Sequence, residues 1–411
     1  MDVLVIGGGV VGVCAAYYLG LQGRQVTLVE KGEICEGSSY GNAGLVVPSH
    51  SVPLAAPGVA FKALGWMFSP ESPFYIEPRL DTALWRWLWR FWRSGTEAHV
   101  RRSLPLLRDL HLASKGLFAE LSRLEGMDCA YEERGVLYAF NTREGLAGGI
   151  AEGERLRRAD LPPQVLDRAQ VEQLQGVEVR VEGGVYYPQD AHVEPASLVR
   201  GLSRHLAGQG AVVLPRTEVL DLSRSGGRVG LVRTTRGDFA PAEVVLAAGS
   251  WSPPLAAGLG FPLPIQPAKG YSITFKKPQA CPAVPLLLGE AKVGVTPMGE
   301  WLRFAGTLEL AGLDLSLSRR RVQAILRAVP AYLPQLDPAG MELVEIWRGL
   351  RPCTPDGLPF LGRAPGLSNL TVAAGHATIG LSLGPITGKL VAQLVNGETE
   401  LDLSLLRVGR C

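Results

Sequence analysis

A chain of 411 residues that is 46% apolar and 19% charged has room for two or three folded domains and is too hydrophobic to remain disordered. Its formal net charge of +2, with no concentrated basic run, argues against a nucleic-acid partner. The six cysteines (Cys14, Cys35, Cys129, Cys281, Cys353, Cys411) have neither CxxC nor Cys/His ligand spacing, so no disulfide scaffold or metal site is expected and a reduced, cytoplasmic setting fits.

Met1-Asp2 runs straight into apolar sequence without a basic n-region or cleavage site, so no export signal is expected. Asp2 to Ile6 has the length of a buried parallel strand, and Gly7-Gly8-Gly9-Val10-Val11-Gly12 follows at once as a match to GxGxxG. Ala16, Leu19 and Gly23 continue at helical spacing, then a second strand, Gln25 to Val29, ends in Glu30, eighteen residues past Gly12. In such a βαβ unit Gly7 permits the tight turn, Gly9 admits a pyrophosphate close to the backbone, and Gly12 lets the helix lie against the strand. The helix N-terminus presents unpaired amides and the positive end of its dipole to the phosphates. Glu30 is placed to accept both ribose hydroxyls of an adenosine, and an acid there repels a 2′-phosphate, which excludes NADP more firmly than NAD.

Further on, Trp85-Arg86-Trp87-Leu88-Trp89-Arg90-Phe91-Trp92-Arg93, with Trp66 upstream, holds five of the eight tryptophans. On a helix Trp85, Trp89 and Trp92 share a face, and Arg86, Arg90 and Arg93 form an adjacent stripe. Two readings stand: an amphipathic helix docked on the protein's own body, or attachment of residues 84–93 to a membrane surface, where aromatic rings and arginines settle among the headgroups. The uncharged stretches 244–268 and 364–388 reach membrane-spanning length but carry Gly, Pro, Ser and Asn throughout, and read as buried loops and short elements. Within the first, Glu243 to Ala248 is a strand closing in Ala248-Gly249-Ser250-Trp251, a small-residue turn that lets backbone approach a nucleotide. Within the second, Asn369 to Ala374 is a strand leading through Gly375-His376-Ala377-Thr378-Ile379-Gly380-Leu381-Ser382-Leu383-Gly384-Pro385 into a helical pattern from Ile386 to Val395. Pro385 suits a first helical turn. This glycine-rich approach sets a second positive helix end where an isoalloxazine C2 carbonyl would sit, and a reduced flavin carries negative charge near N1 and O2. His376 by itself reads as structural.

These segments, together with Trp347-Arg348-Gly349-Leu350-Arg351-Pro352-Cys353-Thr354-Pro355-Asp356-Gly357, resemble the D-amino-acid oxidase superfamily over nearly the whole chain. Ser39-Tyr40-Gly41-Asn42-Ala43-Gly44, Ala55-Ala56-Pro57-Gly58 and Lys269-Gly270-Tyr271-Ser272 look most like the small subunit of D-amino-acid dehydrogenase. Gly384-Pro385-Ile386-Thr387-Gly388 looks closer to glycine oxidase and hydroxyproline dehydrogenases.

The resemblance implies FAD as cofactor and a fold that mixes α/β and α+β architecture. A Rossmann-type FAD-binding domain would be discontinuous in sequence (1–50, 187–262 and 343–411), and a substrate domain on a mixed β-sheet would take 51–186 and 263–342. It implies oxidation of a D-amino acid, or of a small secondary amino acid such as D-proline, hydroxyproline or glycine, by hydride transfer to flavin N5. A quinone of the respiratory chain or oxygen would be the electron acceptor. Another amine or hydroxy-acid flavoenzyme, or a flavin-carrying subunit of a hetero-oligomeric electron-transfer complex, remains an alternative, with a cytoplasmic location or a peripheral one on the inner face of the membrane.

Cofactor contacts are expected from Gly7, Gly9, Val10, Val11, Gly12, Glu30, Lys31, Ser38, Ser39, Asn42, Ala43, Gly44, Leu45, Val219, Ala248, Gly249, Trp251, Gly375, His376, Gly380, Leu381 and Ser382. Arg351 falls where the family places its carboxylate-binding arginine, a planar two-pronged donor suited to that anion. Tyr271 is expected to add a hydroxyl to the carboxylate or shape the pocket, and His50 and Tyr40 to lie near the flavin ring. Where glycine oxidase carries a second arginine, this chain has Ala377-Thr378-Ile379, so one arginine plus hydroxyls is expected.

Overall fold

The computed structural model describes residues 1–59, 72–399 and 401–411; Trp66 lies outside them. Val3–Ile6 is buried on both faces, as its unbroken apolar run requires, and pairs in parallel with Val26–Val29 and Glu243–Leu246. It sits inside a six-stranded sheet whose order is Phe360–Arg363, Leu370–Ala374, Glu243–Leu246, Val3–Ile6, Val26–Val29, Val212–Leu214, with only the Phe360–Arg363 edge antiparallel.

The helix Val10–Leu21 is apolar nearly all round because it is covered nearly all round. The sheet lies beneath it, and Gly380–Asn396 crosses it at Gly384 and Gly388, where side chains would collide with Val10 and with the Cys14 backbone. That second helix begins at Gly380, six residues earlier than the sequence pattern from Ile386 suggests, and Pro385 lies inside it. Pro385 is one turn from the start, where a missing N–H releases only the Leu381 carbonyl. The other face of the sheet is closed by the three-stranded meander Val219–Ser225, Arg228–Thr234, Gly237–Phe239 and by residues 256–265.

A larger mixed sheet runs Leu343–Cys353, Gln266–Lys276, Trp301–Leu310, Val293–Met298, Leu286–Leu288, Val136–Phe140, Gly183–Tyr187, Gln164–Asp167, and Phe74–Ile76 pairs with Trp301–Leu310. Leu343–Cys353 pairs along its length with Gln266–Lys276. The sheets are thus joined just where Arg351 stands.

Thr82–Ser94 is the expected tryptophan-rich helix, opened by Asp81, whose carboxylate accepts from Ala83 N at 2.9 Å and Leu84 N at 3.1 Å. Leu84, Trp87, Leu88 and Phe91 face inward, and the Trp87 indole donates to the Cys353 carbonyl at 3.0 Å. The face shared by Trp85, Trp89 and Trp92 is therefore the outer one, 61%, 55% and 58% exposed. Among the described residues no helix is long and apolar enough to cross a membrane, and no group of His, Cys, Asp and Glu is arranged to hold a metal.

Candidate active site

A continuous cavity of about 2520 Å³ lies between the two sheets, far larger than an amino acid needs and long enough for a dinucleotide with a substrate beyond it. One end is built by the glycine turn. Gly7 has φ +115°, a conformation open to glycine, and a side chain there would strike the Ala247 carbonyl; one at Gly12 would strike the Gly7 carbonyl. Of the expected cofactor contacts here, Gly7, Gly9, Val10 and Val11 line the cavity, whereas Gly12 lies behind its wall, packed against the turn.

Glu30 lines the same end, its carboxylate oriented by Gly8 N at 2.7 Å and Gly32 N at 3.0 Å. Two backbone donors leave lone pairs for the pair of hydroxyls of a ribose. Ser39 reaches across from the following loop, and its Oγ accepts from Val10 N at 2.9 Å at the helix N-terminus. It marks the anion position on the dipole. Lys31 Nζ sits 3.3 Å over the Trp251 ring, and burial lowers its pKa below the usual lysine value. Ala248, Gly249 and Val219 complete this end, while the Ser38 hydroxyl is tied to the Leu350 carbonyl.

Toward the middle, Asn42, Ala43 and Leu45 line the cavity. Arg303, buried on Trp301–Leu310, fixes their loop by donating to the carbonyls of Tyr40 and Asn42, both at 2.9 Å. Gly44 (φ +75°) lies beside the cavity, pressed against the Val193 carbonyl. Facing this loop, Gly375, His376, Gly380 and Leu381 line the cavity, and the Gly380–Asn396 helix starts there without a side-chain cap. Its free amides await an acceptor, as a flavin carbonyl would be. His376 is held by Thr387 Oγ1 at 3.1 Å, and burial lowers its pKa to about 4, so the ring that faces the cavity is neutral at pH 7. Ser382 is tied inside, between Val47 N and His111 Nδ1.

Arg351 also lines the cavity. Its Nη1 donates to the Thr307 carbonyl at 2.6 Å, and Thr307 holds φ +68°, strained for a β-branched residue. The guanidinium lies over Gly270, where any side chain would collide with it. Burial lowers its pKa, yet no carboxylate pairs with it among the described residues. Tyr271 does not join it. In the antiparallel register Ala268 opposes Arg351 and Gly270 opposes Gly349, so Tyr271, paired with Arg348, has the opposite parity and points through the sheet. Its hydroxyl donates to Glu309 at 3.0 Å within the core. His50 lines the cavity with its ring edge-on to Tyr138 (centroids 5.9 Å apart), whereas Tyr40 turns away to Glu345, 3.1 Å distant. Sequence reasoning missed Thr307, Gly270 and Tyr138, because a positive φ, a packing contact and a strand partner carry no local signal.

The donors, the uncapped helix end and the two glycine-lined approaches fit an FAD. Residues 2–394 match the family model of FAD dependent oxidoreductases named DAO. The chain belongs to that family. It is 34% identical over 420 residues to the D-amino acid dehydrogenase of Granulibacter bethesdensis, covering 100% of this chain and 99% of that one. It is 35% identical over 422 residues to that of Methylobacterium radiotolerans, with the same coverages. Among solved structures, glycine oxidase from Geobacillus kaustophilus superposes with a TM-score of 0.80 at 27% identity, over 100% of this chain and 98% of that one. L-proline dehydrogenase from P. horikoshii, at 19% identity, shares the fold with a TM-score of 0.74 over 99% and 96% of the two chains. This DAO-family chain is therefore an FAD-dependent oxidoreductase.

Proposed function

We propose that the chain oxidises a D-amino acid, or a small secondary amino acid such as D-proline, hydroxyproline or glycine, to its imine. The observation that carries this reading is Arg351: a guanidinium in the cavity wall, aimed by a strained carbonyl and lacking an anionic partner among the described residues. Such a group is matched to a substrate carboxylate, which accepts two parallel charge-assisted bonds. The relatives named for D-amino-acid oxidation support the substrate class.

In this reading Gly7 to Val11 and Ser39 receive the pyrophosphate, Glu30 the ribose, and Asn42 to Leu45 with the Gly380 helix end the flavin ring. Bound there, FAD supplies an acceptor for the Cα hydrogen as hydride. Arg351 fixes the carboxylate so that one Cα face is presented, and the apolar wall keeps out bulk water. The released imine adds water to give the 2-oxo acid and ammonia, or stays cyclic for a proline-like substrate. We assign the segments around the six-stranded sheet (1–50, 187–262 and the chain after Cys353) to the FAD-binding domain and the segments of the larger sheet to the substrate domain. The decisive experiment is a panel of D- and L-amino acids, with D-proline and glycine, scored by anaerobic bleaching of the flavin. Bleaching by 2-hydroxy acids alone overturns the amino-acid reading, and bleaching only with added partner subunits favours the hetero-oligomeric one.

A second element concerns the acceptor. Trp85, Trp89 and Trp92 are exposed and also line the cavity, as does Leu315, and Leu80, Leu313 and Leu317 nearby in the chain are exposed as well, so the cavity has an apolar rim. Arg79 joins its two sides by donating to the Leu310 carbonyl at 3.3 Å. With Arg86, Arg90 and Arg93 on the same helix, this rim suits an anionic bilayer, from which a quinone would reach the site. Co-sedimentation with anionic but not zwitterionic vesicles, lost on replacing Trp85 and Trp92 by Ser with FAD retained, is expected. Absence of binding by the unaltered protein refutes it.

A further inference from the structure

Behind the part of the cavity wall formed by Tyr138 and His50 lies an acid that the chemistry above leaves unused. Asp190 has no solvent exposure. Ser49 donates its N–H to Oδ1 at 3.0 Å and its hydroxyl to Oδ2 at 2.5 Å. The Ser49 hydroxyl also meets the Tyr138 hydroxyl at 3.4 Å, a separation of the kind that tightens when a site fills. Direction follows from the donor inventory: a carboxylate only accepts, so the single Ser49 proton points to Asp190 and Tyr138 donates to the serine oxygen. Every link then runs inward, and the phenol oxygen keeps a lone pair for a donor in the cavity.

We propose that Tyr138, Ser49 and Asp190 form a proton path that neutralises the ammonium group of the bound amino acid, with Asp190 as terminal acceptor. This rests on the amino-acid reading, because hydride loss from Cα requires the nitrogen lone pair. One ammonium proton passes to the phenol oxygen as the phenol proton passes to the serine oxygen and the serine proton to Asp190 Oδ2. The ammonium becomes an amine, the carboxylate becomes a neutral acid, and tyrosine and serine end unchanged in charge. No electrons change hands in this step. Run backwards to water after product leaves, the path discharges Asp190.

The surroundings suit each role. Burial pushes Asp190 up to about 7, against the two Ser49 bonds and the Lys115 charge, which favour ionisation. Burial holds the Tyr138 phenol well above its usual range, so it passes protons without ionising. His50, driven down to about 4 by burial and by Lys292, is a weaker base than Asp190. The other titratable groups facing this cluster are Tyr186 and Tyr187 on Gly183–Tyr187, Glu152 on Arg143–Arg157, and His111 and Lys115 on Glu97–Leu121.

The test measures kcat/KM from pH 6 to 10 with the best amino acid of the panel, together with flavin content and affinity for a simple carboxylate without an amine. Tyr138→Phe keeps the ring that packs on His50 and Tyr187, and Asp190→Asn keeps an acceptor for Ser49 N–H. Both, and Ser49→Ala, are expected to lose tenfold or more at pH 7, to shift the acid limb upward, and to approach the unaltered enzyme at the alkaline end, where the amine arrives already neutral. Carboxylate affinity and flavin content should not change. A Tyr138→Phe enzyme with the unaltered pH profile, or a loss equal at every pH, overturns the path; should Asp190→Asn fail to fold, the other two variants decide it. Failure of the unaltered enzyme to bleach with any amino acid overturns the amino-acid reading and the path together.

Discussion

Replacing Arg351 with alanine removes a cation that lines the cavity and has no acidic partner among the described residues. Its described hydrogen bond, 2.6 Å to the Thr307 carbonyl, uses Nη1, and a guanidinium carries five donors, so a carboxylate can still take two in parallel. Losing that pair from a site dry enough to lower the arginine's own pKa should remove about 3 kcal/mol or more of transition-state binding, upward of a hundredfold in kcat/KM. Freeing the Thr307 carbonyl adds about 1 kcal/mol, but as a loss of folding stability. Dye-coupled turnover gives the first quantity and thermal unfolding the second. Arg351→Lys should recover only part of the activity, since one ammonium cannot reproduce the fork. An alanine variant with normal FAD and undiminished kcat/KM would refute the assignment, and with it the main residue-level reason for an amino-acid substrate.

The same geometry predicts that Gly270→Ala, which drives a methyl group into the guanidinium, lowers kcat/KM tenfold or more with FAD content unchanged; an active variant would show the arginine free to move. Glu30→Ala should weaken FAD retention by about 1 to 3 kcal/mol, measured by equilibrium dialysis, with turnover restored at saturating FAD; unchanged affinity would place the ribose elsewhere. Burial depresses His50, His111, His192 and His376 to about 4, 3, 4 and 4. Their contribution to stability is complete above about pH 6.5 and is lost as pH falls toward 4, where the unfolded chain binds protons that the folded one refuses, at about 1.4 kcal/mol per histidine per pH unit. Asp190, with its pKa raised to about 7, changes stability in the opposite sense over that window and offsets one of the four. The melting temperature should therefore drop between pH 6.5 and 4.5, and a flat profile would contradict the buried neutral rings.

The dinucleotide end was legible in the sequence because its determinants are local. A turn, a helix N-terminus and a strand tip fall within thirty residues, and Gly7, Gly12 and Glu30 act through backbone geometry that residue type dictates. The tryptophan helix was legible as a helix for the same reason, since spacing fixes which side chains share a face. Which face is buried was decided by what covers it: Leu84, Trp87 and Phe91 find Cys353 and Leu310, and Trp85, Trp89 and Trp92 are left outside. Arg351 and Tyr271 were both readable as candidates, but the pairing of Gln266–Lys276 with Leu343–Cys353 sends one into the cavity and the other through the sheet, and a strand's register depends on its partner. The sequence by itself determined the nucleotide unit and the identity of the carboxylate-binding candidate. Only the tertiary structure brought Thr307 to Arg351 and joined Ser49, Tyr138 and Asp190, residues up to 141 positions apart, because contacts between distant strands are set by packing and not by neighbours in the chain.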